Sequence, residues 1–100
     1  MKIKLHASAK KDLIEGFHFY ENQQKSIGYY FLDSLYSDLE SLTITAGIHQ
    51  IYYKIYFRML SKRFPFAIYY KITDKIINVT AILDCRRKPA WIRNRLGVIK

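Results

Sequence analysis

Residues 66–85 read FAIYYKITDKIINVTAILDC, and their reading decides the fold. Phe66, Ile68, Tyr70 and Ile72 fall on one side of an extended chain, with Ala67, Tyr69 and Lys71 on the other. That is the period of two of a β-strand. Thr73-Asp74-Lys75 supplies a turn. A second strand follows, with Ile77, Val79, Ala81, Leu83 and Cys85 expected inward and Asn78, Thr80 and Asp84 outward. Ile76 and Ile82 are apolar exceptions on the outward side. Upstream, Tyr53, Ile55, Phe57 and Met59 alternate with Tyr52, Lys54, Tyr56 and Arg58, so one strand is expected from residue 51 to 59. The three strands make an antiparallel meander. One face is greasy, and the other is lined by Tyr52, Lys54, Tyr56, Arg58, Tyr69, Lys71 and Arg86.

Working outward toward the N-terminus, the period changes. Residues 2–6 alternate charge and apolar side chains and read as a strand with no apolar signal core. Ser8 is placed to cap a helix whose stripe is Ala9, Leu13, Gly16/Phe17 and Tyr20. Ser26 is placed to cap a second, with Gly28, Leu32, Leu35, Leu39, Leu42 and Ala46 alternating four and three apart. Asp33, Ser34, Ser37, Asp38 and Ser41 take the other side. Two amphipathic helices with a short joint form a hairpin that buries one stripe each. Toward the C-terminus, Pro89 suits the first turn of a short helix over Ala90–Leu96. The expectation is therefore one α+β domain over residues 1–100, in the order β-α-α-β-β-β-α. An antiparallel sheet is packed on one face by a helix hairpin, and a short C-terminal helix closes the chain.

Half of the 100 residues are hydrophobic, with two prolines and four glycines, a makeup that excludes a disordered segment. No stretch approaches the ~20 apolar residues of a spanning helix. Cys85 is the only cysteine; it admits no internal disulfide, fits a reducing cytoplasm, and reads as a small buried hydrophobe at a strand end. Charge is divided unevenly. Residues 1–50 carry five basic and six acidic side chains, net −1, whereas residues 51–100 carry twelve basic ones against Asp74 and Asp84, net +10. A strongly cationic half implies an anionic partner facing it. Arg58, Lys62, Arg63, Arg86, Arg87 and Trp91, with Lys88, Arg93 and Arg95 close by, form a basic patch with interleaved aromatics. Such a patch suits RNA, through phosphate contacts and stacking, or an acidic protein surface anchored by Trp and Arg. His6, His18 and His49 are scattered without metal-ligand spacing, and there is no Gly-rich phosphate loop or nucleophile elbow. No cofactor or metal is implied.

The stretch Arg63-Phe64-Pro65-Phe66-Ala67-Ile68-Tyr69-Tyr70-Lys71-Ile72, followed by Asp84-Cys85-Arg86-Arg87-Lys88-Pro89-Ala90-Trp91, resembles two motifs of the RelE/ParE toxins. ParE-like members show an R-F-P-[FY]-x-[IL]-x-Y strand and a closing V-L-H-x-R-R-x-P-x-x-W. The resemblance covers essentially the whole chain and implies a toxin of a type II toxin–antitoxin system, neutralised by a cognate antitoxin. RelE-like members cleave mRNA in the ribosome; ParE-like members inhibit DNA gyrase.

RNA cleavage needs a base for the 2′-OH proton, a donor for the leaving oxygen and cations for the phosphorane charge. By resemblance to the nucleases, Lys54, Arg58 and Arg86 are the candidate catalytic cations. The family's central-strand arginine, however, falls at Ala67, and the histidine after the last strand falls at Asp84. The expectation is a ParE-like toxin that acts by binding, with gyrase as the inferred target. A ribosome-dependent mRNA endoribonuclease is the alternative, and an inactive antitoxin-binding module the second. The antitoxin is expected to be acidic and to dock on Tyr52, Tyr56 and Tyr69.

Overall fold

A computed structural model describes residues 1–98. The elements run β1 (Lys2–Leu5), α1 (Ala7–Gln23), α2 (Ile27–Thr45), β2 (Gln50–Tyr52), β3 (Tyr56–Leu60), β4 (Phe66–Thr73), β5 (Ile76–Asp84) and α3 (Pro89–Leu96). The alternation at residues 66–84 is realised as β4 and β5, two central strands of one five-stranded sheet ordered β1-β5-β4-β3-β2. The meander is antiparallel, and β1 joins it parallel to β5 at the far edge.

The expected strand over 51–59 is broken. Tyr53 and Lys54 both take left-handed backbone, φ 58° and 63°, and the Ile55 N–H donates to the Tyr52 carbonyl at 3.2 Å. Positive φ at both central positions is the signature of the hairpin turn whose twist matches its strands. An extra strand, β2, therefore folds back on β3. The expected turn after Thr73 is of the same kind, with Asp74 and Lys75 at φ 53° and 62°.

In β5 the register slips between Tyr69 and Tyr70: Tyr69 pairs with Ala81, Tyr70 with Val79, and Thr80 is the extra residue. A bulge of one residue reverses the facing of everything beyond it. Ile77 and Val79 pack under the helices as expected, but Ala81, Leu83 and Cys85 go to the opposite face. Ile82, an exception to simple alternation, is a core residue under the helices. The bulge lets a single strand serve two cores.

The larger core lies between the sheet and the hairpin: Ala9, Leu13, Phe31, Leu35, Leu39 and Leu42 against Met59, Phe66, Ile68, Tyr70, Ile77, Val79 and Ile82. Burying each large side chain here contributes about 1.5–3 kcal/mol. Phe31 is fully buried although it stands outside the expected α2 stripe. Ser34 and Asp38, expected on the solvent side, are also buried, and Asp38 accepts the Ser61 hydroxyl at 2.6 Å.

Helix boundaries depart from simple capping. α1 begins at Ala7 with His6 as its boundary, so Ser8 sits inside the first turn. Ser26 does bound α2, but its side chain makes no cap bond. The Glu21 carboxylate accepts from the backbone N–H groups of Ser26 and Gly28 instead, at 3.0 and 2.9 Å. It thereby satisfies donors that a helix start leaves unpaired.

β1 pairs with β5 only as far as Val79, and α1 completes the edge beyond. The His6 N–H donates to the Val79 carbonyl at 3.0 Å, the Ser8 hydroxyl to the Thr80 carbonyl at 2.7 Å, and the Ile82 N–H to the Asp12 carboxylate at 2.9 Å. Ser8 and Asp12, one turn apart, act as the strand that β1 does not supply.

Candidate functional site

The second sheet face is built by alternation in β3 and β4 and by the bulge in β5. Tyr56, Ala67, Tyr69, Ala81 and Leu83 form a floor on which α3 lays Ile92 and Leu96. The small Ala67 and Ala81 leave room for the helix, and the Tyr56 hydroxyl donates to the Leu96 carbonyl at 3.0 Å. The face expected to be open is thus closed by α3. Tyr56 is 8% exposed, Tyr69 2%, and Tyr52 half-buried at the rim.

Arg58 is the centre of this face. Its guanidinium donates from Nε to the Tyr69 hydroxyl at 3.2 Å, from Nη1 to the Tyr52 hydroxyl at 2.9 Å and from Nη2 to Cys85 Sγ at 3.4 Å. Burial works against the charge, but bonding to Tyr69 and the nearby Cys85 and Tyr52 prevail and raise its pKa. Burial raises the Tyr69 phenol above its ordinary range despite Arg58. The cluster is a fixed cation held by two tyrosine hydroxyls and a cysteine sulfur.

The other candidate cations are not gathered around Arg58. Lys54 is exposed in the β2–β3 turn rather than on the sheet face. Arg86 turns to Asp84, with Nη2 to Oδ2 at 2.7 Å and Nε to Oδ1 at 3.0 Å. Bonding from Arg86 holds the Asp84 carboxyl below its usual range. Lys62 and Arg63 are exposed in the bend between β3 and β4.

Arg87 lies over the Trp91 ring at 4.2 Å, a cation–π pair. Both line a cleft of about 290 Å³, with Glu15 and Phe19 of α1 on its opposite wall and Asp12 and Asp84 within it. The basic patch therefore survives as a rim of Arg86, Arg87 and Trp91 beside this cleft, with Lys62 and Arg63 on a different loop.

Asp12 is the residue that sequence reasoning passed over. Its carboxylate is 7% exposed, accepts the Ile82 N–H, and pairs with Arg95 Nη2 at 2.6 Å. The same Arg95 nitrogen donates to the Ser8 carbonyl at 3.1 Å. Burial outweighs these bonds, so the Asp12 pKa is raised. The group ties α1, β5 and α3 together. The available signal was an acidic residue between the apolar Ala9 and Leu13, one turn after Ser8. Among the described residues no cluster of three or more His, Cys, Asp or Glu side chains is placed to hold a metal ion. No helix among them is long and apolar enough to cross a membrane.

No family model matches the chain, and no curated protein matches it. Among solved structures, a chain of the chromosomal ParDE TA system from P. aeruginosa has the same fold. The TM-score is 0.76 at 17% sequence identity, over 82% of this chain and 92% of that one. At that identity the likeness is one of architecture.

Proposed function

We propose that this chain is the toxin half of a type II toxin–antitoxin pair, of the ParE-like kind. It stops growth by binding a target protein, inferred to be DNA gyrase, and an acidic cognate antitoxin neutralises it. The shared fold with a ParDE chain supports the toxin reading, as do the two motifs around Phe64-Pro65-Phe66 and Arg86-Arg87. The observation that carries the choice of binding over cleavage is the scattering of the nuclease groups. Arg58 is tied to tyrosines under α3, Arg86 to Asp84, and Lys54 stands apart in a turn. The target surface is assigned to the rim of Arg86, Arg87 and Trp91, extended by Lys62 and Arg63. Tyr52, Tyr56 and Tyr69 remain the proposed antitoxin seat; Tyr52 is reached at the rim, whereas the burial of Tyr56 and Tyr69 means that an antitoxin segment must displace α3 to reach those two.

Expression without antitoxin tests this. Loss of DNA supercoiling with intact mRNA is the expected outcome; mRNA cut on ribosomes would move the chain to the RelE-like endoribonucleases, and no growth defect to an inactive antitoxin-binding module. Lys54→Ala should leave toxicity within about twofold of the parent, because an exposed turn lysine makes no fixed contact. Reversing the charges of Arg86 and Arg87 together should abolish it. If Lys54→Ala alone removes toxicity while the protein stays folded, the binding mechanism is wrong.

A further inference from the structure

The two edges of the sheet are protected very differently. β1 carries exposed Lys2 and Lys4, the charges that usually keep an edge from pairing with another chain. β2, at the other edge, reads Gln50-Ile51-Tyr52 and has neither charge nor proline. Its surroundings are apolar and open: Ile44 is 88% exposed, Ile48 76%, Ile51 54% and Ile55 47%. Residues 41–53 contain no Lys, Arg, Asp or Glu, the longest such run in the chain.

We propose that this edge is a self-association surface, on which a second copy of the same chain pairs β2 to β2 about a two-fold axis at Ile51. The backbone is set for it. The Tyr52 carbonyl points back into the hairpin, where it accepts the Ile55 N–H. Alternation along an antiparallel strand then turns the N–H and C=O of Ile51 outward. Ile51 and its copy would exchange both bonds, joining two five-stranded sheets. Ile51 pairs with Phe57, whose side chain lies on the helix-hairpin face, so the Ile51 side chain shares that face. There it meets its copy, with Ile44 and Ile48 of each chain flanking it.

Charge selects the occupant. With a net charge of +9, an acidic partner is drawn to the cationic side chains and meets Tyr52 from the α3 face, which leaves the uncharged edge at Ile51 to another occupant. For two copies, each repelling the other, the neutral strip is where approach brings no like charges together. Three residues of strand and a few isoleucines make a small interface, at the low end of the range for specific contacts. A dissociation constant on the order of 10–100 µM is expected.

Sedimentation velocity of the isolated protein from 1 to about 300 µM should show a monomer–dimer equilibrium in this range. Ile51→Lys and Ile48→Glu, both at exposed positions and both checked for native circular dichroism, should each weaken it about tenfold or more. Because they lie on different elements, loss of folding in one leaves the other as the test. A protein that stays monomeric throughout overturns the proposal. So does a dimer that both variants leave intact. A third overturning result is protection of the Ile51 amide from hydrogen exchange only when the cognate antitoxin is added, which would give the patch to that partner instead.

Discussion

Asp12 links three elements through one carboxylate, so its loss should be felt beyond its own helix. Asp12→Ala leaves the Ile82 N–H without its acceptor and Arg95 with the Ser8 carbonyl but no carboxylate. An unpaired buried donor costs about 1–3 kcal/mol, and removal of a buried carboxylate returns part of that. A net loss of about 2 kcal/mol in urea unfolding is expected for Asp12→Ala, and about half of it for Asp12→Asn, which keeps an acceptor. His49 gives a pH signature. Its Nδ1 lies 2.6 Å from the Tyr70 hydroxyl, which also accepts the Gly47 N–H at 3.0 Å. Burial holds the His49 pKa below its ordinary 6.5. The unfolded chain therefore binds a proton at a higher pH than the folded one, and stability falls as pH drops from about 6.5 toward the folded value. His49→Gln should flatten the unfolding free energy measured across that window. A slope unchanged by the substitution would remove His49 from the account. At this scale the sequence showed candidates but not partners. Arg58 stood out by charge and alternation, whereas its tyrosine and thiol partners come from β2, β4 and the turn after β5.

The hairpin of α1 and α2 is held close by two glycines that read in the sequence only as stripe positions. A Cβ on Gly16 would stand 2.5 Å from the ring of Phe31, which is fully buried. A Cβ on Gly28 would stand 2.7 Å from the Phe17 carbonyl oxygen. Alanine favours a helix by about 1 kcal/mol over glycine, yet the crowding should outweigh it. Gly16→Ala and Gly28→Ala should each destabilise by about 1–3 kcal/mol in thermal or urea unfolding. Gly28→Ala should be the worse, since a backbone oxygen has no rotamer to move into. The elements themselves were legible wherever a single period ran unbroken: both helices, β4 and the terminal helix fall within a residue or two of expectation. What escaped was the change of phase. Tyr53-Lys54 turns the chain without Gly, Asn or Asp, so nothing in residue type marked β2 as separate from β3. Thr80 inserts a bulge that only Ile82, out of step with its neighbours, betrayed. The same inversion hid the second core: with Ala81 and Leu83 assigned under the hairpin, the opposite face looked bare, and α3 had no floor to cover.

For the molecule as a whole, the division of charge should govern association. With net +10 in residues 51–100, the proposed function requires that an acidic antitoxin be steered from a distance and held by apolar contacts once docked. Stopped-flow mixing should show an association rate that falls at least about tenfold between 0.05 and 0.5 M salt. The dissociation rate should change far less. An association rate flat with salt would sink the steering. Topology imposes a different constraint, on time. Lys2 pairs with Ile76 and Leu5 with Val79, so among the described residues β1, the first strand in chain order, has its one neighbour in the last. A ribosome releasing this chain from its N-terminus sends β1 out alone, and the sheet has no way to close on that side until Val79 has been made. Long-range pairing of this kind slows folding, and here it also sets its order. The whole helix hairpin and the three strands between must be made before that closure, so on this side the sheet closes late in the making of residues 2–84.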